Sequence, residues 1–369
     1  MKRILVIGMT DNPGGIEAVI MTYYRSLNRS DFAFDFLSNN SRMAYEDEVS
    51  ERGGRIFRVT PRHLSVKKFY QDLDLFFATH AEEFDAVWVN VCSLANIAYL
   101  SVAKKYGIKK RIIHCHNAQN GEGIIRGVLH RINRRRIRSL ATDFWSCSNE
   151  ASEWFYGKDY KEIPHYRYIP NTIDVQKYAF DSTVRLRKRA ELGISDDLFV
   201  LGNVARFEHQ KNHKALVQVF KQLHKMNDKY RLLLVGQGSL ESEMRELVKQ
   251  EGLETSVIFA GVRTDVDELY QAMDAFVLSS LFEGLPISAL EAQANGLPCI
   301  LSTGCPSSCF VNGNTLSVDF SSDSGQIAKK MNDWFLDLPE QRVDASTIQN
   351  SEYSIENQIH SFEKAIDGR

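Results

Sequence analysis

The sequence predicts an α/β protein of two doubly wound domains, each a parallel sheet covered by helices. Strand-like runs alternate with helical runs and short connections, which is typical of parallel sheets. The alternation starts again after Pro170-Asn171. The chain has 369 residues, which is long for one hydrophobic core and suits two domains.

The first series of elements covers residues up to about 170. Hydrophobic residues at helical spacing predict a helix after the first strand, and further helices are predicted over Ser65–His80 and Ala95–Tyr106. The predicted strands are Ile4–Gly8, Phe34–Leu37, Ile56–Val59, Ala86–Asn90, Arg111–His114, Phe144–Cys147 and Tyr166–Ile169.

The second series has five predicted strands and four helices, and another helix is predicted after Tyr353. Because ligands of open α/β sheets bind beyond the carboxyl ends of the strands, functional residues are sought in the loops that follow strands. The strands are Phe199–Val204, Tyr230–Val235, Val257–Phe259, Ala275–Ser279 and Pro298–Leu301. The helices are His213–Met226, Ser239–Glu251, Val266–Met273 and Ile287–Asn295.

The composition excludes several classes of protein. Apolar residues make up 43% and charged residues 25% of the chain, as in soluble globular proteins. No apolar run approaches the ~20 residues that a membrane helix needs. Six scattered cysteines form no zinc pattern and are expected to be buried or free thiols of a reducing cytosol.

A glycine-rich loop follows the first strand and ends at Gly14-Gly15, where a helix begins. Such a loop can direct backbone N–H groups at an anion, and the helix macrodipole favours negative charge there. The pattern is not G-x-G-x-x-G, so a nicotinamide cofactor is not indicated. A plain strand–helix turn explains the loop about equally well.

Two cations follow the first strand of the second series. Arg206 and Lys211 lie in one predicted loop before a helix, where they suit a diphosphate by bidentate guanidinium pairing and a point charge. Solvated surface charges are the alternative. Gly236 ends the next strand and allows either a close approach to a nucleotide or a simple turn.

Two glutamates flank the start of a later helix. Glu283 lies in a loop after a strand, Pro286 suits the first helical turn, and Glu291 is eight residues after Glu283. Carboxylates can accept hydrogen bonds from vicinal hydroxyls, so the pair could hold a hexose and a ribose. The spacing alone is common, and its position after a strand makes it more specific.

In the order of its motifs, the chain resembles the retaining glycosyltransferases of family 4, which assemble capsular polysaccharide, exopolysaccharide and lipopolysaccharide. The most specific block is Glu283-Gly284-Leu285-Pro286 with Glu291-Ala292 and Gly296-Leu297-Pro298. The other matching segments are Gly14–Glu17, His114–Asn117, Ser146–Ser148, Ile169–Asn171, Ala205–Asn212, Val235–Gly238 and Phe259–Arg263. Thr172 and Gln237 depart from the family pattern, which commonly has glycine and an acid there.

The resemblance implies a GT-B architecture, with two Rossmann-like domains facing a cleft. It implies an acceptor-binding domain of residues 1–172 plus 352–369 and a donor-binding domain of residues 173–351. The expected donor is a nucleotide sugar, with UDP the favoured nucleotide and a hexose the favoured sugar. The expected acceptor is a glycan or a polyprenyl-diphosphate-linked sugar, in surface polysaccharide biosynthesis.

The resemblance also implies roles for single residues. Arg206 and Lys211 match the pair that holds the diphosphate, Glu283 the acid at the donor sugar, and Glu291 the acid at the ribose. His116 matches the position beside the transferred sugar. The remaining positions implied in donor binding are Gly15, Gly236, Val262, Arg263, Gly284, Leu285, Pro286 and Ile287, of which Val262 and Arg263 fall where the base is contacted.

The implied mechanism is transfer with retention, assisted by the leaving phosphate. No cofactor or metal is expected if Arg206, Lys211 and a helix terminus neutralise the diphosphate. Two D-x-D pairs, at Asp72 and Asp265, are better explained by a helix interior and by helix capping. A nucleotide-sugar epimerase and a non-catalytic glycan-binding subunit are the alternative functions.

A basic segment lies in the first half of the chain. Residues 101–140 contain four Lys and seven Arg against one Glu, although the whole chain carries a net charge of −2. Within residues 124–138, Ile125, Val128, Leu129 and Ile132 recur at helical spacing. The pattern predicts a helix on an anionic membrane surface, or one that holds the diphosphate of a polyprenyl-linked acceptor. A solvated helix is the alternative. Nucleic-acid binding is not expected, because aromatic residues do not interleave with the arginines. We therefore expect a cytoplasmic protein attached peripherally to the inner face of the plasma membrane.

Overall fold

The structure is a computed structural model that describes residues 1–117, 124–339 and 342–368. Two compact units divide it: Met1–Thr172 with the residues from Gln358 onward, and Ile173–Asn357. The chain was predicted to return to the first unit at residue 352. Backbone hydrogen bonds of Ile173 with Tyr353 and Ile355 keep that stretch in the second unit, so the return falls later.

The first unit contains a seven-stranded sheet in which all strand pairs are parallel. The strand order is β3-β2-β1-β4-β5-β6-β7, so the connections change direction between β1 and β4. The strands are β1 (Lys2–Ile7), β2 (Phe32–Ser38), β3 (Ile56–Arg58), β4 (Ala86–Val91), β5 (Lys110–Cys115), β6 (Asp143–Ser146) and β7 (Tyr166–Tyr168).

Six helices connect these strands, and local hydrogen bonds explain where some begin. Ser65 and Ser148 cap α3 and α6 by accepting from backbone N–H groups three residues later, which satisfies donors that the helix leaves unpaired. The helices are α1 (Gly15–Ser26), α2 (Glu46–Glu51), α3 (Val66–His80), α4 (Ala98–Lys105), α5 (Ile124–Leu140) and α6 (Asn149–Tyr156).

The second unit contains a six-stranded parallel sheet in the order β10-β9-β8-β11-β12-β13. The chain moves outward from β8 to β10, then returns to the other side of β8 at β11. The switch point therefore lies between the carboxyl ends of β8 and β11. The strands are β8 (Phe199–Val204), β9 (Tyr230–Val235), β10 (Val257–Gly261), β11 (Ala275–Leu278), β12 (Cys299–Ser302) and β13 (Thr315–Val318).

The remaining helices cover this sheet or follow it. They are α7 (Ser182–Glu191), α8 (His213–Met226), α9 (Glu241–Gln250), α10 (Val266–Ala272), α11 (Ile287–Ala294), α12 (Ser324–Leu336), α13 (Ser346–Gln349) and α14 (Ile355–Asp367). In the first unit, Phe362 of α14 stacks on Tyr23 of α1 at 3.9 Å between ring centroids.

Each unit has its own hydrophobic core, as the predicted fold class requires. One core cluster includes Leu5, Val87 and Ile113 of neighbouring strands in the first unit. Another includes Leu201, Leu232 and Val277 in the second. The predicted class of two parallel-sheet α/β domains is confirmed, and β13 is a sixth strand of the second sheet that was not predicted.

Two further expectations concern single features. All six cysteines are thiols rather than disulfides, five of them are buried, and Cys92 is exposed. Thr172, which departs from the family's glycine, has no positive backbone φ. Within the described ranges, no helix is both long and apolar enough to cross a membrane.

Candidate functional site

The loop after β8 carries both predicted cations. Arg206 is exposed, and no ion pair of its guanidinium occurs among the described residues. Phe207 is buried beneath the loop and stacks on His213 at 4.3 Å between ring centroids. A 3₁₀ turn over His209–Lys211 then leads to Asn212, the N-cap of α8, which has a left-handed backbone with a φ of 52°. The loop thus presents one exposed guanidinium at the switch point.

Lys211 and Glu283 form an ion pair at the switch point. The Lys211 Nζ lies 2.5 Å from Glu283 Oε1, and the two side chains are only 17% and 7% exposed. Gln210 donates from Nε2 to the Phe282 carbonyl at 2.8 Å and reaches Glu283 Oε2 at 3.4 Å. Lys211, predicted to bind the phosphates, and Glu283, predicted to bind the sugar, are therefore neighbours. Their charges neutralise one another in this structure.

Hydrogen bonds to backbone carbonyls join the loops after β8, β11 and β12 into one assembly. Leu281 N–H donates to the Gln210 carbonyl at 2.8 Å, and Ser279 Oγ donates to the Lys211 carbonyl at 2.8 Å. Glu283 N–H donates to the Gly304 carbonyl at 3.0 Å. These bonds fix the backbone at Leu281 and at Glu283. The predicted donor-binding residues Gly284, Leu285, Pro286 and Ile287 follow it and are buried at the start of α11.

Gly236 makes the close packing of two neighbouring loops possible. Its φ is +136°, and a Cβ there would lie 2.2 Å from the Ala205 carbonyl oxygen. Phe207 N–H donates to the Gln237 carbonyl at 3.0 Å, and Leu240 N–H donates back to the Phe207 carbonyl at 2.9 Å. A side chain at residue 236 would therefore displace the backbone next to Arg206. This close packing explains why residue 236 is a glycine, and no bound nucleotide is needed for the explanation.

Glu291 is a buried carboxylate held by two tyrosines. Tyr178 donates its hydroxyl to Oε1 at 2.7 Å, and Tyr270 donates to Oε2 at 2.8 Å. Only 7% of the residue is exposed, and no ion pair of Glu291 occurs in the parts of the chain that the structure describes. Burial raises the pKa of this carboxyl, while the two hydroxyl donors act in the opposite direction. Two of its roughly four acceptor positions remain for a ligand.

Val262 and Arg263, which were predicted to contact the nucleotide base, have different environments. The Arg263 guanidinium donates to both oxygens of Asp265, at 2.7 and 2.6 Å, and to Glu191 at 2.7 Å. These carboxylates raise the pKa of Arg263 further above its usual range. Val262 is 43% exposed. The Arg263 side chain thus already has structural partners, which leaves Val262 as the more accessible of the two.

In the first unit, His116 follows β5 and is buried between two asparagines. Its Nε2 lies 2.9 Å from Asn90 Oδ1, and its Nδ1 lies 3.2 Å from Asn171 Oδ1. Burial lowers the pKa of His116 to about 4, so the imidazole is neutral at pH 7. A neutral ring has one N–H and can donate to only one of the two asparagines.

His114 is fully buried, and its ring packs at 4.1 Å from that of His116. The ring also lies near Trp88 and Trp145, at 6.0 Å between centroids in each case. Burial holds the pKa of His114 well below its usual value. This environment is that of a packed histidine at the end of a strand.

The glycine-rich loop after β1 is ordered by a glutamate inside α1. Glu17 Oε1 accepts from the backbone and hydroxyl of Thr10, at 3.0 and 2.7 Å, and its Oε2 accepts from Gly14 N–H at 3.1 Å. Gly15 is exposed at the first turn of the helix. The Glu17 carboxylate already accepts hydrogen bonds from some of the loop's N–H and O–H donors. Fewer donors therefore remain for an anion than we expected from the sequence.

The two D-x-D pairs have partners within the chain. Asp72 accepts from the Thr60 backbone and hydroxyl, and Asp74 pairs with Lys105. Asp265 pairs with Lys188 and Arg263. Asp267 lies 3.6 Å from Lys177. These contacts stabilise helices and loops.

The structure brings Arg206, Lys211, Glu283 and Gly236 together at the carboxyl ends of β8, β9 and β11. Glu291 lies about one turn into α11, and Gly15 and His116 belong to the other unit. Sequence reasoning missed Gln210, Tyr178 and Tyr270, which contact the two glutamates. Gln210 directly precedes Lys211, so it could have been predicted as a site residue from its position. Nothing local marks the tyrosines, which lie 113 and 21 residues away from Glu291.

The environment of Glu291 predicts a pH-dependent stability cost. Its folded pKa is raised above 4.5, so between pH 4.5 and the folded pKa the folded protein binds more protons than the unfolded chain. Stability therefore falls as the pH rises through that window. We expect Glu291→Gln to increase the free energy of unfolding by on the order of 1 kcal/mol at pH 7 and by almost nothing near pH 4.5, because a buried carboxylate without a cation is costly.

Thermal unfolding of wild type and variant across this pH range measures the difference. Glu254→Gln, at an exposed residue, is the control and should show no such trend. A Glu291→Gln variant that is less stable than wild type at pH 7 would show that the carboxylate stabilises the fold.

Comparisons with known proteins agree with the fold. The family model of the group 1 glycosyl transferases matches residues 184–350. The Bacillus subtilis (strain 168) protein named "Putative glycosyltransferase EpsF" is 32% identical over 313 residues, which cover 82% of this chain and 79% of that protein. An Escherichia coli UDP-Gal:alpha-D-GlcNAc-diphosphoundecaprenol alpha-1,3-galactosyltransferase is 33% identical over 147 residues, or 39% of this chain and 38% of the relative.

Solved structures share the architecture of both units. The crystal structure of Anabaena HepE in complex with UDP and glucose has a TM-score of 0.82 and 18% identity, and the match covers 100% of each chain. At that identity the likeness concerns the fold, which is of the GT-B class. The EpsF match covers most of both chains and is the observation that shows the family. The chain belongs to the group 1 glycosyl transferases, and it is a transferase with the GT-B fold.

Proposed function

We propose that the protein transfers a hexose from a UDP-sugar to a glycan or a polyprenyl-diphosphate-linked acceptor, with retention of configuration. The observation that carries the proposal is the Lys211–Glu283 ion pair next to the exposed Arg206 at the switch point of the second sheet. A diphosphate can replace the carboxylate as the partner of Lys211. Glu283 would then accept hydroxyl groups of the donor sugar.

The other roles in the proposal follow the family resemblance. Glu291 holds the ribose through its two remaining acceptor positions, and Val262 with the backbone at Arg263 flanks the base. From the first unit, His116 is proposed to meet the transferred sugar, and Gly15 to adjoin the phosphates and the acceptor. A neutral His116 suits a hydrogen-bonding role, because its lowered pKa keeps it uncharged at pH 7.

The proposed reaction breaks the bond between the anomeric carbon and the diphosphate oxygen. The acceptor hydroxyl attacks from the face that the diphosphate leaves, so the configuration is retained, and the departing phosphate takes the hydroxyl proton. Arg206 and Lys211 stabilise the negative charge that develops on the nucleotide. The proposal needs neither a protein nucleophile nor a metal, since these two cations and the start of α11 provide the positive potential.

The substrate classes have support from the related proteins. The name of the E. coli relative contains both UDP-Gal and a diphosphoundecaprenol acceptor. HepE has been crystallised with UDP and glucose. We further propose membership of family 4 and a place in surface polysaccharide biosynthesis, capsule or exopolysaccharide, on the inner face of the plasma membrane.

Donor profiling tests the reaction. Nucleotide release is measured with a panel of nucleotide sugars and a membrane-extracted, lipid-linked acceptor, and we expect turnover with a UDP-sugar. Glu283→Gln should lower kcat by roughly 100-fold, since it removes a charge at the reacting sugar. Glu291→Gln should mainly raise the donor KM, by roughly tenfold for one lost charged hydrogen bond. Glu254→Gln should match wild type.

Identical kinetic defects of Glu283→Gln and Glu291→Gln would contradict the division of roles. Calorimetry with the free nucleotides provides an independent reading. If the protein bound none of them and released none from any donor, the proposed reaction would be wrong.

We also propose that α5 attaches the protein to an anionic membrane surface. Ile125, Val128 and Ile132 are 77%, 50% and 52% exposed. The helix packs on the unit through His130, Asn133 and Ile137 instead. His130 accepts from Leu94 N–H at 3.2 Å, and Asn133 donates to the Leu94 carbonyl at 2.7 Å. The apolar stripe is therefore left available between the arginines.

Liposome co-sedimentation tests this attachment. Neutralising Arg134, Arg135 and Arg136 together should weaken binding to anionic vesicles by roughly 100-fold, since each basic residue near the surface contributes about 1 kcal/mol. Replacing Ile125, Val128 and Ile132 by Ser should weaken it as well. Leu336→Ser removes an equally exposed apolar side chain of the second unit and is the control. Unchanged binding of the triple-arginine variant would contradict the proposal.

A further inference from the structure

The Glu291 carboxylate is oriented by side chains from two elements distant in sequence. Tyr178 ends a 3₁₀ turn that precedes α7, and Tyr270 lies in α10. Their hydroxyls contact different carboxylate oxygens, at 2.7 and 2.8 Å, and their rings meet edge to face at 5.9 Å. With both oxygens held, the carboxylate plane cannot rotate freely about its terminal bond.

The two tyrosines are themselves fixed in place. Asn295 Nδ2 donates to the Tyr178 carbonyl at 2.7 Å, and Gln271 Nε2 donates to the Ala179 carbonyl at 3.0 Å. Tyr270 is fully buried, and its hydroxyl also lies 3.2 Å from the Ser288 carbonyl. A rigid support of this kind keeps a ligand-binding group in one geometry before the ligand arrives.

A purely structural role explains this arrangement poorly. Burying a carboxylate without a cation costs free energy, and a Gln or an apolar side chain would avoid that cost. Lys177, whose charge acts on Glu291 at longer range, pairs with Asp267 at 3.6 Å. Hydrogen bonds from neutral hydroxyls keep the charge in place while leaving acceptor positions of each oxygen unused.

We propose that Tyr178 and Tyr270 are positioning residues for donor binding, holding the Glu291 carboxylate in the orientation that accepts the ribose hydroxyls. The inference rests on the proposed function, in which Glu291 binds the ribose of a UDP-sugar. The two tyrosines do not touch the donor in this account. They act by orienting Glu291 and by favouring its charged form.

The charged form matters because a protonated carboxyl accepts hydroxyls less well. The groups that face Glu291 are Tyr178 and Tyr270, with Lys177 and Asp267 acting at longer range. Burial raises the pKa of the carboxyl, and the tyrosine hydroxyls oppose that rise. Removing a hydroxyl raises the pKa further. Donor affinity should therefore be lost at a higher pH in the variants than in the wild type.

Calorimetry with UDP, between about pH 5 and pH 8, tests the proposal on Tyr178→Phe, Tyr270→Phe and the double variant. Each single change should weaken UDP binding roughly tenfold near pH 6 and less at pH 8, since it removes a hydrogen bond to a charged group. The kinetic counterpart is a raised donor KM with kcat within about twofold. Tyr230→Phe is the matched control, a buried tyrosine of the same unit whose hydroxyl bonds Asn332 at 3.0 Å.

The same changes in a Glu291→Gln background complete the experiment. There the tyrosine substitutions should have no further effect on the pH dependence, because no titrating carboxyl remains. If Glu291→Gln weakens UDP binding but the tyrosine variants behave like Tyr230→Phe, the positioning role is wrong and the proposed function stands. If Glu291→Gln binds UDP like wild type, the ribose role of Glu291 itself is wrong.

Discussion

The ion pair between Lys211 and Glu283 is the interaction around which the second unit's site is built. It joins the loop after β8 to the loop after β11, on the two sides of the switch point. The same junction is reinforced by Leu281 N–H, which donates to the Gln210 carbonyl, and by Ser279 Oγ, which donates to the Lys211 carbonyl. In this structure each charge has the other as its partner. A bound diphosphate would offer Lys211 a doubly charged partner and leave Glu283 to accept hydroxyl groups.

Burial decides the charge of the remaining candidate groups. His116 is neutral because burial lowers its pKa to about 4, and Glu291 is harder to ionise because burial raises its pKa. Within the described residues, the hydrogen-bond partners of both side chains are neutral, and neither side chain forms an ion pair. Such environments cost stability and are common where a protein binds or transforms a ligand. The exposed Arg206 differs from both, since water stabilises its charge until a ligand arrives.

Much of the fold could be predicted from the sequence because its elements follow hydrophobic periodicity. The strands Phe199–Val204 and Tyr230–Val235 and the helix His213–Met226 were predicted to the residue. The strand Thr315–Val318 was missed, since it is short and lies at the edge of the sheet with a partly exposed face. In α5 the periodicity was real, but the buried side is formed by His130, Asn133 and Ile137 rather than by the apolar stripe.

The site was predictable only where chemistry follows a strand directly. Arg206, Lys211 and Glu283 satisfy that condition, and the parallel sheet brings them to one edge. The partners that control their charge come from elsewhere in the chain. Tyr178 and Tyr270 reach Glu291 through tertiary packing, and Glu191 and Asp265 engage Arg263 through loops. No pattern in a single sequence marks contacts of that kind.

The most direct test of the account is the UDP affinity of Glu283→Gln, measured by calorimetry beside Lys211→Gln. If the ion pair holds Lys211 until the diphosphate arrives, removing the carboxylate charge frees the lysine, and Glu283→Gln should bind UDP at least as tightly as wild type. Lys211→Gln should bind it more weakly. A loss of UDP affinity in Glu283→Gln as large as that in Lys211→Gln would contradict the account.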